Sequence, residues 1–312
     1  MELERVGAPD TEGMDFSELT EAGTDALNRG YKWKAYGCLR DSTARAAIDP
    51  VRPAFRDVEE QVVCAYQNCA TAASALGRQQ YALHEFLFAK ETGATGPRFF
   101  PVLLERLSST YRRAGDIDQA RRYADDAVTE AERFGEVSYL GYAYMNRATV
   151  AYEDSDLERA AAYYEKAYKA YQRADRPHEC GRSLHNLAQV HFDLGRYRAS
   201  RRALLAAGKV MQPLEQHRTL ALGRILMGEL DALESHQDRA TKHWREAVSI
   251  AKRLDDKVLR FKAEYLLLKQ ACENGNLPVA RSIQRRLRKL SNWVPKTTPE
   301  LRDFEALSDR LA

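Results

Sequence analysis

The sequence predicts an all-α fold built as a tandem array of helical hairpins. Three observations carry this expectation. A turn residue recurs at Gly115, Ser155, Gly195, Ser235 and Gly275, a spacing of 40 held four times. Columns of small and large residues follow each turn at fixed distances. Between the turns Ala, Glu, Arg and Leu dominate, without the strict alternation of a strand.

Each element of the repeat has a physical reason. About fourteen residues of helical pattern precede a turn, as in Leu103, Leu104, Leu107 and Tyr111. The turn takes Gly or Ser because one helix ends and the next begins within about three residues, where positive φ is useful. Asp116 and Asp156 stand where a side chain can cap the second helix. Upstream, Gly77 lies 38 residues before Gly115, and Gly30 a further 47. Five residues behind each turn comes a small column: Ala35, Ala82, Ala120, Ala160, Ser200, Ala240 and Ala280. Four further on is a mostly large one: Leu39, Phe86, Ala124, Tyr164, Leu204, Trp244 and Gln284. Three beyond that the residues are again mainly small: Ser42, Ala89, Ala127, Ala167, Ala207, Ala247 and Leu287. The first small column lets paired helices approach, and the large one is expected to pack on the next unit.

These signals divide the chain. Residues 1–15 are expected to be a disordered N-terminus and 16–48 the first hairpin. Residues 49–60 form a linker in which Pro50 and Pro53 forbid a continuous helix. Residues 61–293 hold six hairpins, with a break at Gly93–Pro97. Residues 294–312 supply a capping helix that starts at Thr298-Pro299-Glu300 and carries Leu301, Phe304, Leu307 and Leu311.

Composition narrows the function classes. Lys and Arg number 48 against 45 Asp and Glu, a balance that argues against nucleic-acid or membrane-surface binding. The N-terminus lacks a basic start and an apolar stretch, and no run is long enough to span a membrane, so a soluble cytoplasmic protein is expected. Cys38, Cys64, Cys69, Cys180 and Cys272 are odd in number and scattered, which fits buried free thiols.

The small–large–small columns behind a Gly turn resemble the tetratricopeptide repeat over about residues 16 to 290. The usual period is about 34, so the helices here are longer, as in bacterial peptide-sensing regulators of the Rap type, which this version resembles. The resemblance implies a right-handed superhelix, or α-solenoid, of about seven hairpins plus the capping helix. In such folds the first helix of each unit lines a concave groove.

Counting nine residues back from each turn gives Asn68, Arg106, Asn146, Asn186, Leu226 and Leu266. An Asn amide both donates and accepts, so it can grip the main chain of an extended peptide. The family uses Asn in this column for that purpose, and the resemblance implies the role for Asn146 and Asn186. The alternative is that these amides pair with a neighbouring helix. Adjacent inward columns add Tyr142, Met145, Thr149 and Tyr152, then Arg182, His185, Gln189 and Phe192, a composition typical of an interface centre. For Tyr152 and Phe192 simple packing weighs equally. Arg106, Arg112 and Arg113 would favour a carboxylate on the partner. Leu222, Ile225, Leu226 and Leu266 are expected to pack on a helix or partner instead.

Other signals carry less. His178, Cys180, His185 and His191 match no zinc template, and no metal or cofactor is expected. The basic run Arg281, Arg285, Arg286, Arg288 and Lys289 reads first as a solvated face, with docking to an acidic partner as the alternative. No phosphate loop, GxSxG elbow or HExxH occurs, so catalysis is unsupported. The expected function is a protein- or peptide-binding adaptor or regulator. The alternative is a Rap-like regulator promoting dephosphorylation of a signalling partner or controlled by a signalling peptide, with Gln61 and Gln67 as available side chains. DNA reading is disfavoured because only about fifteen residues precede the first unit. A homodimer through terminal units remains open.

Overall fold

The computed structural model describes residues 14, 16–28, 32–48, 65–66, 68–74, 76–91, 100–214, 217–296 and 298–310. The expected disordered start, the proline linker, the Gly93–Pro97 break, Gln61, Cys64, Gln67 and Leu311 lie outside these, residue 14 excepted. Among the described residues the secondary structure is helical throughout. The elements are α1 (Phe16–Asn28), α2 (Lys32–Ile48), helical residues at 65–66 and 68–74, α3 (Gln79–Glu91), α4 (Phe100–Ala114), α5 (Ile117–Phe134), α6 (Val137–Glu153) and α7 (Leu157–Arg173). There follow α8 (Pro177–Asp193), α9 (Tyr197–Met211), α10 (His217–Leu233), α11 (Gln237–Arg253), α12 (Lys257–Glu273), α13 (Leu277–Leu290), a 3-10 turn (Ser291–Trp293) and α14 (Pro299–Arg310). No helix is long and apolar enough to cross a membrane among the described residues. The chain falls into two compact units, Met1–Ala170 and Tyr171–Ala312, taken separately below.

Every described turn of the 40-residue series sits where the sequence puts it, and each closes the same way. The amide one residue past the turn reaches back to a carbonyl of the last helical turn: Asp116 to Tyr111, Asp156 to Ala151, Arg196 to His191, His236 to Asp231 and Asn276 to Ala271. This is the wrap that satisfies orphan carbonyls, and it needs a left-handed residue at its centre. Gly115, Gly195 and Gly275 supply that at no cost, while Ser155 and Ser235 adopt φ of 62° and 63°. Asp116 and Asp156 cap α5 and α7 as expected, accepting from the amides of Gln119 and Arg159 at 3.1 Å. A second left-handed column, Gly135, Asp175 and Asp255, joins one hairpin to the next on the same 40-residue beat.

In the first unit α1 packs on α2, α4 on α5, and α4 also on α6. One apolar core runs from Leu39 through Phe86 and Leu103 to Tyr123. Hairpin α6/α7 is stitched by Arg147 over the Tyr163 ring at 5.5 Å and by the Thr149 and Tyr164 hydroxyls at 3.1 Å. In the second unit α8/α9, α10/α11 and α12/α13 are the hairpins, and α14 covers α12. All residues of the two small columns from Ala82 onward are fully buried, as are Ala35 and Ser42. The last unit departs from the large column for a visible reason. Gln284, almost wholly buried, donates to the carbonyl and hydroxyl of Ser308 at 3.1 Å each, so a polar side chain here fastens the capping helix.

The large column does more than the sequence suggested. Leu204 joins a cluster with Leu226, Met227 and Leu230 of the following hairpin, as expected. Trp244 instead turns onto its own hairpin: its Nε1 donates to the Ile225 carbonyl at 3.2 Å, and its ring fills the space beside Gly228. A Cβ at Gly228 would lie 2.4 Å from that nitrogen. Gly228→Ala is therefore expected to cost about 1–3 kcal/mol through overpacking. In a Trp244→Leu background the penalty should shrink to near zero, measured as a double-mutant cycle by urea unfolding. Equal penalties in both backgrounds would refute the packing account.

Candidate functional site

The first-helix faces carry the residues of interest, and each unit has its own cleft. In the first unit α4 and α6 diverge around a cavity of about 250 Å³ lined by Pro101, Val102, Glu105, Arg106, Tyr139, Tyr142 and Ala143. Arg106 is half exposed beside Glu105, and Tyr142 is 36% exposed, so both present polar and aromatic surface at its rim. The remaining expected residues of this unit do structural work. Asn146 is 7% exposed, and its amide donates to the Glu105 carbonyl at 3.4 Å, bracing α6 against α4. Asn68 donates to the Thr24 hydroxyl at 3.0 Å, tying its stretch to α1. Both amides thus follow the helix-pairing alternative. Thr149 bonds back to the Met145 carbonyl at 2.9 Å. Met145 and Tyr152 are half-buried.

The three arginines do not form one open receptor. Arg112 is ion-paired with Glu153, and Arg113 donates to the Ser74 hydroxyl at 2.8 Å. Burial pushes the Arg113 pKa down, and the cations of Arg112 and Arg106 push it further. Two of the three are engaged inside the fold, leaving Arg106 facing the cleft. Sequence spacing placed them at one height but could not say which way each side chain turns.

In the second unit the walls come from α8, α10, α11, α12 and α14. Phe192, Glu229, Leu233, Trp244, Leu266 and Lys269 border a cavity of about 360 Å³. Ile225, Tyr265, Pro299, Glu300 and Asp303 border another of about 250 Å³, and Glu229, Leu266 and Lys269 line both. Phe192 packs on the Leu204–Leu226 cluster while edging the first cavity, with its ring 5.7 Å from Tyr197. Gln189 donates to Asp193 at 3.0 Å, Arg182 is exposed, and Asn186 is half-buried. His185 is half-buried, but its Nδ1 is sealed from solvent without a hydrogen bond, and burial pushes its pKa down to about 4. Leu226 is core, as expected of that column, whereas Ile225 and Leu266 reach the cavities. A wider trough of about 1090 Å³ lies between α11 and α13. Its floor carboxylate, Glu264, is held by Arg260 and Arg286 at 2.8 Å each, so Arg286 of the basic run serves the fold.

Sequence reasoning missed Glu229. It lies six before its turn, in the same register as Thr149 and Gln189, and that column runs Thr71, Ser109, Thr149, Gln189, Glu229 and Lys269. The leucines nine before the turn make this helix read as apolar and mask a polar column three residues on. It also missed the ionic knot around Asp231, which is 2% exposed. Arg201 Nη2 lies 2.9 Å from both Asp231 and Glu234, and His243 Nε2 is 3.4 Å from Asp231. Asp231, Glu234 and His236 converge closely enough to suggest a cation site, but the Arg201 guanidinium already bridges the two carboxylates. Cys38, Cys69 and Cys180 are buried free thiols and Cys272 is half-buried.

The tetratricopeptide repeat family model matches residues 181–207, which span most of α8 and α9. No curated protein sequence matches the chain. Among solved structures, the apo form of RapI superposes with a TM-score of 0.71 at 11% identity, covering 95% of this chain and 81% of that one. Aspartyl phosphate phosphatase F from Bacillus subtilis gives 0.67 at 10% identity, covering 91% and 71%. The Rap conjugation gene regulator of plasmid pLS20, solved with the Phr* peptide, gives 0.63 at 14% identity, covering 95% and 82%. The chain is an α-solenoid of tetratricopeptide-type hairpins with a Rap-like fold.

Proposed function

We propose that this chain is a protein-binding adaptor or regulator whose first-helix face holds an extended segment of a partner. The observation that carries this reading is the Arg106–Tyr142 cleft between α4 and α6, where a cation and an aromatic ring border an apolar hollow. Exposed aromatics and arginine are the residues that anchor interfaces. Arg106, half exposed at the rim and 3.4 Å from Glu105, is the one of the three arginines placed to meet a carboxylate on the segment that enters. Asn146 contributes by fixing the Glu105 main chain that forms one edge of the cleft. Asn186 and Arg182 on α8 are the corresponding candidates of the second unit. The similar Rap regulator solved with the Phr* peptide supports a peptide as the kind of ligand.

The test is to pan a random heptapeptide phage library against the full chain, then measure the selected peptides by fluorescence anisotropy. Arg106→Ala with Tyr142→Ala is expected to weaken at least one selected peptide by tenfold or more while the helical circular dichroism stays unchanged. A library that enriches nothing, or peptides indifferent to both substitutions and to Asn186→Ala, would overturn the reading.

A further inference from the structure

Resting on that reading, we infer that the groove of the second unit selects a basic side chain, Lys or Arg, with the Glu229 carboxylate as its counter-ion. Glu229 sits where the two cavities meet, reached from both sides. It makes no hydrogen bond or ion pair within 4.0 Å among the described residues, whereas Asp231, Asp256 and Glu264 of this unit are each held by an arginine and Glu300 by Lys262. An unpaired carboxylate in a half-buried wall is costly in its ionised form, so it holds a proton unless a cation from outside the fold pairs with it.

The surroundings point the same way. Across the two cavities the carboxylates are Glu229, Glu273, Glu300 and Asp303, against the amines Lys262 and Lys269. Lys262 is committed to Glu300 Oε1 at 3.2 Å, yet Glu300 Oε2 remains buried without a partner. Tyr265 hydrogen-bonds Asp303, so that carboxylate is oriented. The excess of negative charge repels a carboxylate ligand, and a purely apolar one would strand Glu229 further. Phe192, Leu233 and Leu266 offer the apolar run over which the methylene stem of Lys or Arg can lie with its charged end at Glu229.

Titration gives an independent handle. Burial pushes the Glu229 pKa up to about 7, with Glu300 of α14 and Asp193 of α8 adding to it and Lys269 and Lys262 of α12 opposing. Glu273 and Asp303 line the same cavities. A cation arriving there favours the ionised form, so its binding expels a proton near neutrality and strengthens from pH 6 to pH 8.

The experiment uses two heptapeptide libraries, identical except that one fixes Lys or Arg at a single position and the other fixes Gln there. Both are measured against the full chain and against Glu229→Gln, which keeps the side-chain volume. The expected result is at least tenfold tighter binding of the basic set, more so at pH 8 than at pH 6. Both the preference and its pH dependence should be lost in E229Q with helicity intact. Equal affinity for the two sets, or a basic preference that E229Q leaves unchanged, overturns the inference. Binders sensitive to Arg106 and Tyr142 but not to Glu229 would leave the general peptide-binding reading standing, whereas no binders at all would remove both.

Discussion

Phe261→Ala is expected to lower stability by about 3–5 kcal/mol, the usual loss when a buried aromatic ring leaves a cavity. Phe261 has no exposed surface and stands at the centre of the terminal core, with Leu268, Ile283, Leu287, Leu290, Val294, Leu301 and Phe304 around it. Its ring meets Phe304 edge-on at 5.6 Å and 87°. That contact joins α12 to α14, so its loss also loosens the helix that covers the end of the array. In repeat proteins stability is a sum of local and neighbour terms, and an uncapped end opens first. Hydrogen exchange should therefore show α12–α14 losing protection before α8–α10, alongside the shift in urea midpoint. Phe261→Leu, which keeps an apolar side chain but loses the ring, should cost less than the Ala variant because it leaves a smaller cavity. A loss below about 1 kcal/mol for the Ala variant would mean that this ring does not organise the terminal core.

The second large effect is a pair of opposed pH dependences. His185 has its folded pKa pushed down to about 4 from an ordinary 6.5, so it stays neutral in the native state while the unfolded chain takes up a proton. Its contribution is intact above pH 6.5 and is lost as pH falls toward 4, up to about 3 kcal/mol in all. Glu229 runs the other way. With a folded pKa of about 7 against an ordinary 4.5, the native state holds the extra proton, so stability falls as pH rises from 4.5 to 7. That loss is likewise at most about 3 kcal/mol. In the natural chain the two slopes offset each other between pH 5 and pH 6.5. Single variants separate them: His185→Gln should flatten the acid loss, and Glu229→Gln should stabilise the protein at pH 8 while changing little at pH 4.5. Urea midpoints across that range check both, and parallel curves for all three proteins would rule out these assignments.

The fold was legible because hairpin packing writes itself as a period. Ala120, Ala160, Ala240 and Ala280 are small for the same reason in every unit, and chain counting alone finds them. The second turn column, Gly135, Asp175 and Asp255, was equally periodic but less visible, since Asp in a left-handed turn looks like any solvated Asp. The site was legible only as a face. Register showed that Asn146, Thr149 and Gln189 lie on first helices. It could not show that Asn146 is spent on Glu105, Thr149 on Met145 and Gln189 on Asp193.

The sequence by itself determined the helical hairpins, their turns at Gly115 through Gly275, the small columns and the capping segment, because each depends on spacing along one chain. Only the tertiary structure decided which polar side chains are spent and which are left open. Arg112 and Arg113 find partners 41 and 39 residues away, and Asp231 finds Arg201 at a distance of 30. Glu229 has neighbours on α8, α12 and α14, yet among the described residues none is bonded to it. Whether a charge is satisfied depends on angles and distances of a few ångströms between helices, and those are set by packing rather than by position in the chain.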